Sequence, residues 1–284
     1  MISEAAITLP RRLAAPEPGW TAETDVVIVG SGIAGLTAAL HIARHSALRI
    51  TLVTKDVLAA GSTPWAQGGI AAALGAGDSP EEHFTDTVVA GAGVCDDAAV
   101  RVLVREGPAA VRELAQIGAR FDRAGDGSLS LTREGGHHRD RIAHAGGDAT
   151  GAEIERARIT RVLDATDVEV IEHALVLDLL LSGGPPGSEG VAAGGQAGSV
   201  AGLTLHVMGE GARDGVGAVR ARAVVLATGG IGQVYASSTN PSVSTGDGIA
   251  AALRAGTVVR DLEFVQFHPT VTWLGARSRG QQPL

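Results

Sequence analysis

Two glycine-dense segments hold the residues whose order could do chemistry. Gly30-Ser31-Gly32-Ile33-Ala34-Gly35 follows an apolar run, Thr24–Val29, and opens a stretch with helical spacing at Leu36, Ala39, Leu40 and Ala43. Strand, GxGxxG turn and helix in that order present backbone N–H groups and the positive end of a helix to a pyrophosphate. The second segment, Ser62-Thr63-Pro64-Trp65-Ala66-Gln67-Gly68-Gly69, comes shortly after another apolar run, Arg49–Val53. Lys55, the single lysine among 23 basic residues, stands directly after that run, where a dinucleotide fold meets the adenosine. The acid expected there for the ribose hydroxyls is missing from Leu52-Val53-Thr54-Lys55, and Asp56 lies beyond its place. That variant disfavours an ordinary NAD-dependent dehydrogenase.

Other titratable residues are ambiguous by type alone. Glu134 sits in a glycine-rich stretch, Leu131-Thr132-Arg133-Glu134-Gly135-Gly136-His137, and reads by itself as an exposed loop acid. Asp247 reads as a helix-start acid and His268 as a structural histidine. His137, His138 and His144 are close in sequence, but no matching Cys or acid set accompanies them, so no metal is expected. Cys95 lies in a turn and reads as a small packing residue. No Gly-x-Ser-x-Gly elbow and no P-loop is present.

The elements that must position these residues alternate. A helix is expected over Ser79–Gly91, with Ser79 as N-cap, Pro80 at the first turn and Glu82 completing a capping box. Asp97–Glu106 and Pro108–Ile117 are expected as two helices separated at Gly107-Pro108 and ended at Gly118. Thr150-Gly151-Ala152-Glu153 reads as a second capping box, opening a helix to about Leu163. Strands are expected at Val168–Ile171, Ala174–Leu181, Leu203–Met208 and Ala218–Ala227, and Gly246-Asp247-Gly248 is expected to open a helix to about Ala255. Ser182–Gly202, rich in Gly and Pro, reads as a mobile loop within a hairpin. Strands alternating with helices predict an α/β fold: a doubly wound, largely parallel, Rossmann-like sheet. Composition agrees with a globular chain of 284 residues, 45% hydrophobic, with forty glycines. A net charge of −8 argues against nucleic acid as partner, and one cysteine fits a reducing cytoplasm. No apolar run reaches the roughly 18 residues of a membrane span.

Gly30–Gly35, Lys55, Ser62–Gly69, Leu131–His137, Gly147-Asp148-Ala149-Thr150-Gly151, Ala227-Thr228-Gly229-Gly230, Ser244–Gly248 and Glu263–Thr270 occur in one order. This set resembles the succinate dehydrogenase/fumarate reductase flavoprotein family, and within it the branch that oxidises an amino acid. The resemblance implies an FAD-binding domain over residues 23–262, preceded by a flexible extension (1–22) and followed by the start of a capping domain (263–284). It implies FAD held non-covalently, since Ser62 stands where the dehydrogenases carry a linking histidine. Ser31, Gly32, Ile33 and Ala34, with the N-terminus of the following helix, would hold the pyrophosphate, and Gly30 and Gly35 would complete that cofactor-binding turn. Lys55 and the segment Ser62, Thr63, Pro64, Trp65, Ala66, Gln67, Gly68 and Gly69 would line the flavin side. Leu175 and Val176 would touch the cofactor through their backbone, and Asp247 would bind its sugar-alcohol chain. Glu134 would orient a substrate amino group and His268 a substrate carboxylate. The implied reaction is oxidation of L-aspartate to iminoaspartate, with O2 or fumarate as acceptor. The product would feed quinolinate synthase and so NAD biosynthesis.

The family's catalytic arginine, in a Pro-Arg-Asp context, has no counterpart here, and neither Arg277 nor Arg279 lies in one. The expectation is therefore an N-terminal portion that binds FAD weakly and does not turn over alone. The alternatives are a non-catalytic FAD-binding module and a fumarate reductase or succinate dehydrogenase flavoprotein. Glu134 and the absence of histidine from Ser62–Gly69 speak against the last.

Overall fold

The computed structural model describes residues 10–182, 198–209, 213–267 and 271–272. Its chain divides into two compact units, Met1–Ser62 with Val162–Leu284, and Thr63–Arg161. The second unit is inserted in sequence between the second and sixth strands.

The first unit is a six-stranded sheet with the order β6-β2-β1-β9-β8-β7. Its strands are β1 (Trp20–Val29), β2 (Ile50–Val53), β6 (Val168–Ile171), β7 (Ala174–Leu181), β8 (Val200–Val207) and β9 (Gly215–Leu226). β1 pairs in parallel with β2 and β9, and β2 with β6, whereas β8 runs antiparallel to both β7 and β9. The expected parallel-rich α/β sheet is therefore present, with an antiparallel flank. β1 starts four residues before its apolar run because Trp20–Thr24 pair with Gly217–Ala221 of β9. Between β1 and β2 runs α1 (Ile33–His45), with Leu36 and Ala39 fully buried. The core is aliphatic: Val27, Val29, Val53, Val176, Leu203, Leu205 and Val219 pack together. α5 (Asp247–Arg254) is tied to β7 by Arg254, whose Nε donates to Asp178 Oδ1 at 2.5 Å, with both side chains nearly buried. The predicted loop at Ser182–Gly202 falls largely on 183–197, outside the described residues.

The second unit holds three two-residue strands in the order β3 (Ile70–Ala71), β5 (Ile142–Ala143), β4 (Leu131–Thr132). It also holds α2 (Pro80–Ala90), α3 (Asp97–Gln116) and most of α4 (Thr150–Leu163). α3 corrects the sequence expectation, for it is one 20-residue helix running through Pro108. A proline inside a helix removes a hydrogen bond and costs roughly 3 kcal/mol. Here Pro108 falls on the buried stripe Val100, Val104, Pro108, Val111 and Leu114, so apolar burial along one face offsets that loss. Val111 and Leu114 pack with Ala72, Phe121, Ile154 and Ala157 in a separate core.

The capping boxes are also corrected. Ser79 Oγ accepts from Glu82 N (3.2 Å) as expected, but the Glu82 carboxylate takes Arg139 instead, at 3.0 and 2.8 Å. Thr150 caps nothing: it is the first helical residue, and its hydroxyl accepts from Ala145 N (3.1 Å). Glu153 accepts from Arg120 N and pairs with Arg156.

A buried ionic cluster ties α2 to the segment before β5. Arg141, fully buried, donates to Asp78 through Nε (3.0 Å) and Nη2 (2.7 Å), and to Asp86 Oδ2 through Nη1 (2.8 Å). Asp86 also accepts from the His138 main-chain N–H (3.0 Å), and its Oδ1 lies 2.6 Å from His138 Nδ1. Burial alone would push the Asp86 carboxyl up. The His138 donors and the Arg141 charge overcome that and bring it down from 3.8 to about 2. On α4, Glu155 is 2% exposed with Oε1 lacking a hydrogen-bond partner, and burial pushes its carboxyl up from 4.5 to about 7.

The two acids give opposite pH signatures. Asp86 has a lowered folded pKa, so its stabilisation is present above about pH 4 and fades as pH falls through about 2. Asp86→Asn should cost roughly 3 kcal/mol at neutral pH, by breaking a buried pair, and should flatten that acid slope in urea unfolding. Glu155 has a raised folded pKa, so the unfolded state loses its proton first and stability falls as pH climbs from 4.5 to about 7. Glu155→Gln should remove that fall and stabilise the chain above pH 7 by about 3 kcal/mol, read by the same measurement.

Candidate functional site

The first unit forms a cradle at the C-terminal ends of β1, β2 and β9. Gly30, after β1, has φ +108° and donates its N–H to Val53 O (2.8 Å), while Ala227 N donates to Val29 O (2.8 Å). A Cβ on Gly30 would lie 2.3 Å from Ala227 O, and one on Gly35 would lie 1.8 Å from Gly30 O. Only glycine fits either position. Gly32 is the N-cap of α1, no side chain caps the helix, and its first turn carries no acid. That helix start is suited to an anion. Ile33 and Ala34 are exposed on it. Ser31 faces inward instead, with its buried hydroxyl 2.8 Å from Thr54 Oγ1 and donating to Leu58 O (2.8 Å). Its side chain fastens the turn to the segment after β2, leaving only its main chain for a ligand.

Lys55 and Asp247, 192 residues apart, meet in this unit. Lys55 Nζ lies 2.5 Å from Asp247 Oδ2 and also donates to the Thr245 hydroxyl. Burial would raise the Asp247 carboxyl, but hydrogen bonds from Lys55 and Thr245 and the Lys55 charge leave it below the usual value. Gly246, with φ +81°, precedes α5, and a Cβ on Gly248 would lie 2.0 Å from the Thr228 hydroxyl. Asp247 is thereby held beside the turn that follows β9. Leu175 and Val176 pair with His206 and Leu205 of β8, and just before them Ala174 N donates to Thr54 O (2.9 Å). β7 therefore begins beside the residue preceding Lys55. Ser62 Oγ lies 3.2 Å from Ser244 Oγ.

In the second unit, Thr63–Trp65 form a 3-10 turn with Trp65 exposed, and Ala66 O accepts from Gly151 N (2.9 Å). A Cβ on Gly151 would lie 1.9 Å from Thr63 O, so the start of α4 presses directly on this turn. Gln67 and Gly68 follow it. Gly69 abuts β5, where a Cβ would lie 2.4 Å from the Ile142 side chain. Glu134 lies on the hairpin between β4 and β5, half-exposed, with Oε1 3.5 Å from His144 Nε2. The hairpin is fastened at its far side by His138, Arg139 and Arg141 to Asp86, Glu82 and Asp78. The histidines enter separate arrangements: His138 joins Asp86, His144 joins Glu134, and the His137 ring lies 5.6 Å from that of buried His83. His268 lies outside the described residues. Sequence reasoning passed over Asp78, Asp86 and Arg141, and weighed His144 only as a metal ligand. The four-residue spacing of Asp78, Glu82 and Asp86 was the one available signal.

The class of protein follows from the cradle. Residues 25–281 match the FAD binding domain family, and the chain belongs to it. FAD is the cofactor of that family, and the fit is good: a glycine turn with no space for a side chain, and a helix start without cap or acid. Its similarity is high to the L-aspartate oxidase of Streptomyces coelicolor, 63% identical over 96% of this chain and 44% of that protein. The L-aspartate oxidase of Mycobacterium tuberculosis is 44% identical over 94% of this chain and 46% of its own length. The chain thus spans less than half of these relatives. Among solved structures, E. coli quinol fumarate reductase FrdA superposes with a TM-score of 0.80 at 36% identity, covering 88% of this chain and 40% of that one. A Mycobacterium smegmatis Sdh1 complex gives 0.78 at 34%, covering 89% and 42%.

Gly30→Ala tests the cradle. With a left-handed φ and a carbonyl 2.3 Å from the new methyl group, the turn must open. FAD affinity, followed by quenching of flavin fluorescence, should fall at least about tenfold, which is about 1.4 kcal/mol. Gly125→Ala, on a turn of the second unit where a Cβ meets nothing within 4 Å, should leave it nearly unchanged.

Proposed function

We propose that this chain is the cofactor-binding part of an FAD-dependent oxidase that converts L-aspartate to iminoaspartate. The observation that carries the reading is Glu134, a half-exposed carboxylate on a braced hairpin, in a chain of the FAD binding domain family similar to L-aspartate oxidases. Aspartate differs from succinate by one ammonium group. A charge-assisted hydrogen bond to that group is worth about 1.5–3 kcal/mol, or roughly 10–150-fold in preference. Glu134 is suited to supply it.

When bound, FAD supplies the two-electron acceptor for the Cα hydrogen. Main-chain N–H groups of Ser31–Ala34 and the start of α1 hold its pyrophosphate, on a turn whose Gly30 N–H is committed to Val53 O. Lys55 and Asp247 bind as a pair near neutrality, so neither charge stands uncompensated beside the dinucleotide. Ser62–Gly69 line the flavin without a covalent bond, and Leu175 and Val176 contribute backbone groups. Glu134 binds the substrate ammonium, and His268 one of its carboxylates. O2 or fumarate is the final acceptor, and iminoaspartate passes to a quinolinate-forming enzyme in the cytoplasm. The FAD-binding domain runs to residue 262 and takes in the start of β1 at Trp20, so the preceding extension is shorter than the expected 1–22; the start of a cap follows at 263–284.

The fumarate reductase and Sdh1 structures favour one second reading, a dicarboxylate oxidoreductase. A complete polypeptide carrying this segment separates the two. Purified with FAD, it should release peroxide on addition of L-aspartate. Glu134→Gln should lower kcat/KM for L-aspartate about 10–100-fold without changing FAD content. Preference for succinate over L-aspartate would establish the second reading.

A further inference from the structure

Glu134 is coupled to a histidine that can change its charge without moving. His144 Nδ1 lies 3.2 Å from Gly147 O, and Nε2 lies 2.9 Å from Thr132 Oγ1 and 3.5 Å from Glu134 Oε1. A carbonyl oxygen only accepts, so Nδ1 carries a proton and donates to Gly147. That leaves Nε2 as the atom that gains or loses the second proton. The Thr132 hydroxyl serves both states, because it can donate to a bare Nε2 or accept from Nε2–H. The ring is held in place for this. Asp122 accepts from Gly146 N (3.0 Å) and Gly147 N (3.2 Å), which aims the Gly147 carbonyl, and Asp122 N donates to His144 O (2.8 Å). A Cβ on Gly69 would lie 3.0 Å from His144 Cε1, so glycine at that position leaves room for the ring. Glu134 on the hairpin and Asp122 before it are the charged groups in this arrangement, and Arg133 and Asp148 adjoin Thr132 and Gly147 in sequence. β3 contributes Ile70, which carries none.

The chemistry supplies a need for such a group. Near neutral pH an amino acid arrives as an ammonium ion, whose nitrogen has no lone pair. Oxidation at Cα requires that lone pair to form the C=N bond, so one N–H proton must leave first or in the same step. We propose that Glu134 and His144 together accept this proton. Resting on the assignment of Glu134 to the substrate amine, the step runs as follows. The ammonium pairs with Glu134, an N–H bond breaks, and the proton passes through the carboxylate to His144 Nε2, forming an N–H bond there. The electron pair left on nitrogen forms the C=N bond as the Cα hydrogen leaves, with the electron pair of its own bond, for the oxidised FAD that serves as two-electron acceptor. The substrate is oxidised by two electrons, and the imidazolium returns its proton to water after product release. His144 acts through Glu134 and is a positioning and proton-holding residue.

The test uses the complete FAD-loaded polypeptide and two readouts. One is the pH profile of kcat/KM for L-aspartate. The other is affinity for α-methyl-L-aspartate, which lacks a Cα hydrogen and cannot be oxidised. His144→Gln keeps a donor toward Glu134 but cannot take up a proton. It should bind the analogue within about threefold of wild type, under 1 kcal/mol. Its kcat/KM should be about 10²-fold lower near neutral pH and should rise about tenfold per pH unit toward the pKa of the substrate amine. Glu134→Gln should lose affinity for the analogue as well as turnover. A His144→Gln profile parallel to wild type, or a loss of analogue binding as large as its loss of turnover, would overturn the proposal. A wild-type protein that oxidises L-aspartate at no pH would instead remove the reading of the reaction, and the proton step with it.

Discussion

Main chains meet at Gly30 more closely than any side chain allows, and the first unit is organised around that approach. β1, β2 and β9 end together there, joined by the Gly30–Val53 and Ala227–Val29 hydrogen bonds. Gly35, in the first turn of α1, closes on the Gly30 carbonyl. The helix start is thereby aimed where the strands stop, the place at which open α/β sheets bind ligands. The sheet's aliphatic core would be compatible with several turn geometries. The missing Cβ atoms select this one.

The second unit uses charge where the first uses backbone proximity. Its strands are two residues long and could not hold a nine-residue hairpin by ladder hydrogen bonds alone. Three acids from one side of α2 and its lead-in supply the restraint, gripping His138, Arg139 and Arg141. The exposed Glu82–Arg139 contact adds little by comparison with the Arg141 cluster, whose guanidinium has no exposure to water. A buried cation with two fixed acceptors allows few alternative arrangements of the chain around it. This keeps Glu134 and His144 on a frame that does not depend on their own exposed contacts.

Much of this was legible in the sequence where the signal was local. The GxGxxG turn, the Ser79 N-cap and the strands Val168–Ile171 and Ala174–Leu181 follow from residue types a few positions apart, and the structure places them as expected. What was missed depends on partners distant in sequence. Pro108 reads as a break until its ring is seen on a buried stripe. Thr150 has the form of a cap until Ala145 claims its hydroxyl. Lys55 and Asp247 were each assigned to the cofactor, but nothing in either context announces that they bind one another across 192 positions. Arg141 was one arginine among many, and only its burial distinguishes it. Ser31 shows the same effect within a motif, since a residue expected to face the ligand turns its hydroxyl to Thr54 and Leu58.

The ion pair of Lys55 with Asp247 also makes the chain unusual as a target for covalent labelling. Its single ε-amine lies within the cradle rather than on a random surface loop, and its side chain is only 26% exposed. An acylating reagent directed at lysine would therefore report on one site. Its rate would follow how firmly the carboxylate and any bound nucleotide screen that nitrogen.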